Sequence, residues 1–153
     1  MTEEDIRTLL NGFLKDLFFK ILRIQEKSVS QTSNDSISRT EMHALEVIQQ
    51  FGNNVTLTQL ADKLGITKAT ASVCISRLEK KDYVEKVKLK KDKRKSVLKL
   101  NEKGEYLCLK HAEFHEKMID CLLKDFKIFE YPQLLKGLEA LYHFFNKIEK
   151  ELV

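Results

Sequence analysis

Residues 56–81 read Thr56-Leu57-Thr58-Gln59-Leu60-Ala61-Asp62-Lys63-Leu64-Gly65-Ile66-Thr67-Lys68-Ala69-Thr70-Ala71-Ser72-Val73-Cys74-Ile75-Ser76-Arg77-Leu78-Glu79-Lys80-Lys81. Thr56 followed three residues later by Gln59 is a capping box, in which side chains satisfy the free N–H groups of a helix start. It opens a short helix whose Leu57, Leu60, Ala61 and Leu64 face inward, and Gly65 stops that helix. Thr67 caps a second helix, Lys68 to Lys81, with a narrow apolar stripe of Ala71, Cys74, Ile75 and Leu78. Two short helices joined by a glycine turn predict a helix-turn-helix. The second helix presents Lys68, Thr70, Ser72, Ser76 and Arg77, small or basic side chains able to approach base edges and phosphates.

Outward from this stretch the periodicity changes. Tyr83 to Leu89 and Ser96 to Leu100 alternate as strands do, with the basic tip Lys90-Lys91-Asp92-Lys93-Arg94-Lys95 between them. A helix-turn-helix followed by a basic hairpin is a winged helix. Upstream, Ser38 and Glu41 form another capping box, opening a helix to about Phe51, and Gly52-Asn53-Asn54 is a turn. Downstream, Asn101 caps a long helix from Glu102 to about Asp125, and Pro132 opens a last helix carrying Leu134, Leu135, Leu138, Leu141, Tyr142, Phe145, Ile148 and Leu152. At the N-terminus Ile6, Leu9, Leu10, Phe13, Leu14, Leu17, Phe18, Ile21 and Leu22 recur helically from about Glu3 to Lys27, and the polar run Ser28 to Ser36 reads as a loop. The predicted fold is therefore mainly α: a winged helix-turn-helix with a small β-hairpin wing, plus N- and C-terminal dimerisation helices. Residues 1–37 and 102–153 form the helical dimerisation region and 38–101 the DNA-binding region, within a single interlocked domain. The apolar stripes at the two ends exceed what one small winged domain covers, which predicts a homodimer.

Charge supports a polyanion site. From Lys68 to Lys95 eleven Lys and Arg face four Asp and Glu, a net +7, which leaves −3 for the rest of a chain whose total is +4. Nucleic acid, here double-stranded DNA, is the first candidate partner and an anionic membrane surface the second, with a solvated Lys-rich loop as the plainer reading. At 42% hydrophobic and 33% charged residues, the 153-residue chain is neither disordered nor collagen-like. Leu9 to Ile24 is interrupted by Lys15, Asp16, Lys20 and Arg23, so no membrane span is expected. The acidic start Met-Thr-Glu-Glu-Asp is unlike a signal peptide, and Cys74, Cys108 and Cys121 form no Cys-x-x-Cys pair; a reducing cytoplasm is the expected location. Gly-x-Gly-x-x-Gly, phosphate-loop, His-Glu-x-x-His and Gly-x-Ser-x-Gly motifs do not occur, so no enzymatic activity is expected.

Leu57-Thr58-Gln59-Leu60-Ala61, the run Ser76 to Val84, the wing residues Asp92-Lys93-Arg94 and Leu100-Asn101-Glu102-Lys103-Gly104 together resemble the MarR family of bacterial transcription regulators. The resemblance covers nearly the whole chain, with Asp82 standing where the family usually has Gly. It implies a homodimer whose first and last helices interlock, with two winged helices reading a palindromic, A·T-rich operator. In family terms Arg94 enters the minor groove while Asp92 orients the wing. The DNA-binding set is then Ser38, Thr56, Thr67, Lys68, Thr70, Ala71, Ser72, Ser76, Arg77, Lys90, Lys91, Asp92, Lys93 and Arg94. Glu41-Met42-His43, Leu78 to Val87, Phe114 to Met118 and Leu138 to Phe144 are similar to the fatty-acid-synthesis repressors of Gram-positive bacteria. That branch implies repression of lipid-synthesis genes, with acyl-loaded acyl carrier protein as corepressor and no resident cofactor.

Other readings compete. Cys108, His111 and His115 cluster along one side of a helix, His43 could join them, and Glu26 is a candidate fourth ligand. Their position resembles that used by the zinc-responsive branch of the family, so a metal-homeostasis repressor is an alternative, although bordering the core is the plainer role. Redox sensing falls mainly on Cys108. Phe18, Phe19, Phe144 and Phe145 could line an effector pocket, but their spacing fits a dimer core. A winged helix that binds only protein is a further alternative.

Overall fold

The computed structural model describes residues 1–89, 95–125 and 127–152. Along the chain run α1 (Glu3–Gly12), a π-helical turn (Phe13–Leu17), α2 (Phe18–Thr32), α3 (Arg39–Gln50), α4 (Leu57–Leu64), α5 (Lys68–Lys80), β1 (Val84–Lys88), β2 (Ser96–Leu100), α6 (Glu102–Asp125), a 3-10 turn (Ile128–Glu130) and α7 (Pro132–Leu152). The mainly α, winged helix-turn-helix architecture expected from the sequence is the one observed. Two compact units divide the chain, residues 1–112 and 113–153, and the division falls inside α6.

The first unit is built by capped helices around one apolar core. Ser38 Oγ accepts from the Glu41 N–H at 3.2 Å while Glu41 Oε2 accepts from the Ser38 N–H at 2.7 Å, starting α3. The same reciprocal pair, Thr56 and Gln59, starts α4. Gly65 ends α4 at φ +64, a left-handed conformation that costs glycine little. Leu45 and Ile48 of α3, Leu60 of α4, Ile75 and Leu78 of α5, Leu98 of β2 and Leu107 of α6 are shut from solvent around that frame. β1 and β2 pair antiparallel, Val84 opposite Leu100 and Lys88 opposite Ser96. The Leu98 N–H also donates to the Val55 carbonyl at 2.8 Å, which ties the hairpin to the segment leading into α4.

The passage from α5 to β1 is the tightest part of the unit. Asp82 takes φ +63, a left-handed conformation that Asp tolerates better than most residues because its short side chain can bond locally. Here Asp82 Oδ1 accepts from Asn101 Nδ2 at 2.7 Å, a bond that glycine at this position could not make. The Tyr83 N–H donates to the Leu78 carbonyl at 2.9 Å, and the Tyr83 carbonyl accepts from the Asn101 N–H at 3.0 Å. Gly104 lies against that same Tyr83 carbonyl, and a Cβ on residue 104 would overlap its oxygen.

One boundary differs from the sequence reading. Residues Ser28 to Thr32, expected as loop, continue α2. Ser30 Oγ donates to the Lys27 carbonyl at 2.9 Å and Thr32 Oγ1 to the Ser28 carbonyl at 3.0 Å, so these hydroxyls bond back within the helix. Val29 is buried in the core, and that tertiary contact overrides the weak helix propensity of the serines.

Both units keep apolar faces in solvent. In the first, Leu9, Leu10, Phe13, Leu14, Leu17 and Phe18 are 39–60% exposed along α1, the π turn and α2. In the second, Leu134, Leu135, Leu138 and Phe145 of α7 are 37–44% exposed. Contiguous apolar surface of this kind marks an interaction face. Among the described residues no helix is long and apolar enough to cross a membrane.

Substitution of Gly104 by Ala is expected to destabilise the protein by about 1–3 kcal/mol, because the new methyl meets a fixed carbonyl rather than a mobile side chain. Asp82→Gly should change stability by less than about 1 kcal/mol, since relief of the left-handed conformation offsets loss of the Asn101 bond. Urea denaturation of the two variants measures both, and equal stability of Gly104→Ala and the parent contradicts the packing argument.

Candidate nucleic-acid interface

The outward face of α5 is set by its inward one. Ala71, Cys74, Ile75 and Leu78 are buried, which turns Lys68, Thr70, Val73, Ser76, Arg77 and Lys80 toward solvent with Ser72 half-buried at the margin. Thr67 Oγ1 caps the helix by accepting from the Thr70 N–H at 3.1 Å, and the two hydroxyls lie 2.9 Å apart. Among the described residues, none of Lys68, Arg77, Lys80, Lys88 and Lys95 takes part in an ion pair, whereas Lys86 is held by Glu79 at 2.7 Å. Bases without such a partner are available to phosphates.

A groove lined by Thr56, Leu57, Thr58, Gln59, Lys68, Lys95 and Ser96 joins the starts of α4 and α5 to the base of the wing. Helix starts direct free N–H groups and a partial positive charge outward, and Lys68 and Lys95 add full charges. The arrangement is suited to a phosphate backbone running past α4 while α5 meets base edges.

The sequence-derived residues divide accordingly. Thr56, Thr67, Lys68, Thr70, Ser72, Ser76 and Arg77 share this face or its groove. Ala71 does not: it is fully buried and supports α5 from behind, a correction that follows from its place in the apolar stripe. Ser38 caps α3 and lines a different pocket, with His43 and His111, so its hydroxyl is already committed to the helix start. Lys90, Lys91, Asp92, Lys93 and Arg94 lie outside the described residues; Leu89 and Lys95 beside them are joined by a 3.0 Å backbone bond. Val73 is the residue that sequence reasoning passed over. It is 54% exposed in the middle of the reading face, where a methyl-rich side chain suits contact with a thymine methyl. Its position opposite the Ala71–Leu78 stripe was the available signal.

The remaining candidates lie elsewhere. Glu26, His43 and His111 line one small pocket of the first unit, together with Leu22, Val29 and Met42. His111 is buried, and its Nε2 is 3.3 Å from Glu46 Oε1. Cys108 does not line that pocket, and His115 belongs to the second unit. Burial pushes the Cys108 thiol up to about 12 and the Cys74 thiol up to about 11, with Glu46 and Glu105 adding to the first and Glu41 to the second. Buried thiols that hold their protons are poor nucleophiles, which disfavours redox chemistry at Cys108. Phe18 and Phe19 pack edge-on in the first unit and Phe144 and Phe145 in the second, all about half exposed.

Residues 37–96 match the MarR family. The chain is 30% identical to Streptococcus pneumoniae FabT, seen in complex with DNA; the match covers 93% of this chain and 99% of that one, with a TM-score of 0.83. It is 29% identical over 98 residues to the HTH-type transcriptional regulator BilQ of Clostridioides difficile, 64% of this chain and 66% of that protein, just under two thirds of its length. To the HTH-type transcriptional regulator YhjH of Bacillus subtilis it is 24% identical over 135 residues, 87% of this chain and 72% of that one. The protein belongs to the MarR family. It is a winged-helix transcription regulator and not an enzyme.

Thiol accessibility follows from the burial pattern. Cys121 is exposed while Cys74 and Cys108 are buried. A thiol-disulfide reagent at neutral pH should modify one thiol per chain rapidly and the other two only on unfolding. Rapid modification of Cys121→Ser protein would contradict the assignment.

Proposed function

We propose that this regulator binds a palindromic, A·T-rich operator as a homodimer and represses lipid-synthesis genes, with acyl-loaded acyl carrier protein as corepressor. The observation that carries this reading is the 30% identity to FabT across 93% of the chain. The apolar faces of α1, α2 and α7 support the dimer, because they are too extensive to remain in water. Two-fold symmetry would then present two α5 helices to DNA about one turn, roughly 34–36 Å, apart. Lys68, Arg77 and Lys95 supply the phosphate contacts of the described surface, and Thr70, Ser72, Val73 and Ser76 the base contacts. The family resemblance would add Arg94 and Asp92, which lie outside the described residues, to this DNA-binding set.

A second reading, zinc-dependent control, is favoured by one observation: Glu26, His43 and His111 line a single pocket, with Glu46 beside His111. Imidazoles and carboxylates are donors that Zn²⁺ accepts, so the set fits the ion chemically. Bound there, the metal would tie α2 to α3 and α6, and the residues themselves need only converge.

Three measurements test these readings. Sedimentation at micromolar concentration should give a mass near twice 17.9 kDa. Lys68→Ala should weaken operator and scrambled duplexes alike and lower the slope of log affinity against log salt by about 0.9. Val73→Ala and Thr70→Val should instead cost on the order of 1–3 kcal/mol on the operator and little on scrambled DNA. Equal losses on both duplexes for the latter pair would show that α5 does not read sequence. Long-chain acyl carrier protein is expected to tighten operator binding and zinc to leave it unchanged. A zinc-dependent gain that His43→Ala and His111→Ala remove would reverse that order.

A further inference from the structure

Immediately beyond α2, the short loop from Ser33 to Ile37 is stitched to the far end of the recognition helix by polar bonds. The buried Tyr83 ring stands at the α5–β1 passage, and its hydroxyl lies 2.7 Å from Ser33 Oγ and donates to Asp35 Oδ2 at 3.0 Å. Lys103, from the first turn of α6, donates to Asp35 Oδ2 at 2.6 Å and to the Lys81 carbonyl at 2.8 Å, with its ammonium 4.4 Å from the Tyr83 ring centre. Lys81 in turn donates to the Ser36 carbonyl at 2.6 Å and to Glu41 Oε1 at 2.9 Å. Ser33 Oγ also bonds the Asp35 backbone at both its carbonyl and its N–H, which holds the loop in shape.

The node adds direction to the packing that holds α2. Val29 is buried, and Ile21, Leu22, Gln25, Ser28 and Thr32 are half-buried. Apolar contact is non-directional and leaves a helix some freedom to swivel, whereas hydrogen bonds and charge-assisted pairs fix direction. Ser33, Asp35, Tyr83 and Lys103 supply the directional bonds between the end of α2 and the end of α5. Helix α2 carries part of the exposed apolar face, and α5 carries the reading face. A rotation at the node would change the separation of the two α5 helices in a dimer while leaving each reading face intact.

We propose that Ser33, Asp35, Tyr83 and Lys103 are positioning residues for operator recognition, which lock α5 against α2 and so set the half-site spacing the regulator accepts. The proposal rests on the dimeric, operator-binding reading above. It concerns spacing, not base identity, so its signature differs from that of a residue touching DNA.

The experiment compares the parent protein with Tyr83→Phe, Asp35→Asn and Lys103→Arg. Each is titrated against the native operator, operators with one base pair inserted or removed between the half-sites, and a scrambled duplex, with the dimer mass measured alongside. Tyr83→Phe and Asp35→Asn should bind the native operator about tenfold more weakly, the loss expected from a charge-linked bond, while binding to scrambled DNA is unchanged. Affinity for the misspaced operators should change less than about twofold, so spacing discrimination falls about tenfold. Lys103→Arg, which keeps charge and donors, should retain most of the discrimination. If Asp35→Asn and Tyr83→Phe discriminate as the parent does, whatever their melting temperatures, the positioning role is overturned and the dimeric reading stands. A parent protein that is monomeric, or that ignores spacing, overturns both.

Discussion

The closure at Tyr83 is the constraint on which the rest of the first unit depends. Its N–H ends α5 by bonding the Leu78 carbonyl, and its own carbonyl takes the Asn101 N–H that leads into α6. Its ring fills the core, and its hydroxyl reaches the loop beyond α2. One residue thus closes the recognition helix, starts the wing and meets the segments before α3 and at the start of α6. That crowding explains two neighbours. Gly104 has no room for a side chain beside the carbonyl, and Asp82 uses its carboxylate to hold a backbone conformation that glycine would adopt unaided.

From this closure the reading surface follows with little further choice. With Leu78 and Ile75 pinned inward, helical geometry turns Val73, Ser76 and Arg77 outward. The capping boxes at Ser38 and Thr56 and the cap at Thr67 place three helix starts without drawing on the core. Small side chains along α5 leave room for close approach to a groove, and Lys68, Arg77 and Lys95, in no ion pair among the described residues, carry charge that attracts a polyanion. Charged and small polar side chains are thereby exposed on the same helix, two chemistries whose contributions to polyanion binding differ in their dependence on salt.

The apolar faces of α1, α2 and α7 pose the complementary problem. They are amphipathic helices whose greasy sides lack cover within their own unit, so association is the physical remedy. On the proposal above, the α2 face and α5 are linked through a polar node. Polar nodes are directional yet individually modest in energy, so they can orient neighbouring elements without locking them as a packed core does.

Sequence alone determined the helix-turn-helix, the wing strands and the basic stretch, because capping boxes, Gly65 and the change from period 3.6 to period 2 are local signals. It also indicated which side of α5 faces solvent, since the Ala71–Leu78 stripe defines its opposite. It misjudged Ser28 to Thr32, where hydroxyls bond back within α2 and the burial of Val29 outweighs propensity. It included Ala71 and omitted Val73, because residue type was weighed above position on the helix. Only tertiary structure decided that Cys108 is sealed away with a raised thiol, that Glu26, His43 and His111 share a pocket, and that Ser33, Asp35, Tyr83 and Lys103 meet. The bonds of that last group join residues 48 to 68 positions apart in the chain, and no local pattern records which distant side chains a folded core will bring within a bond's reach.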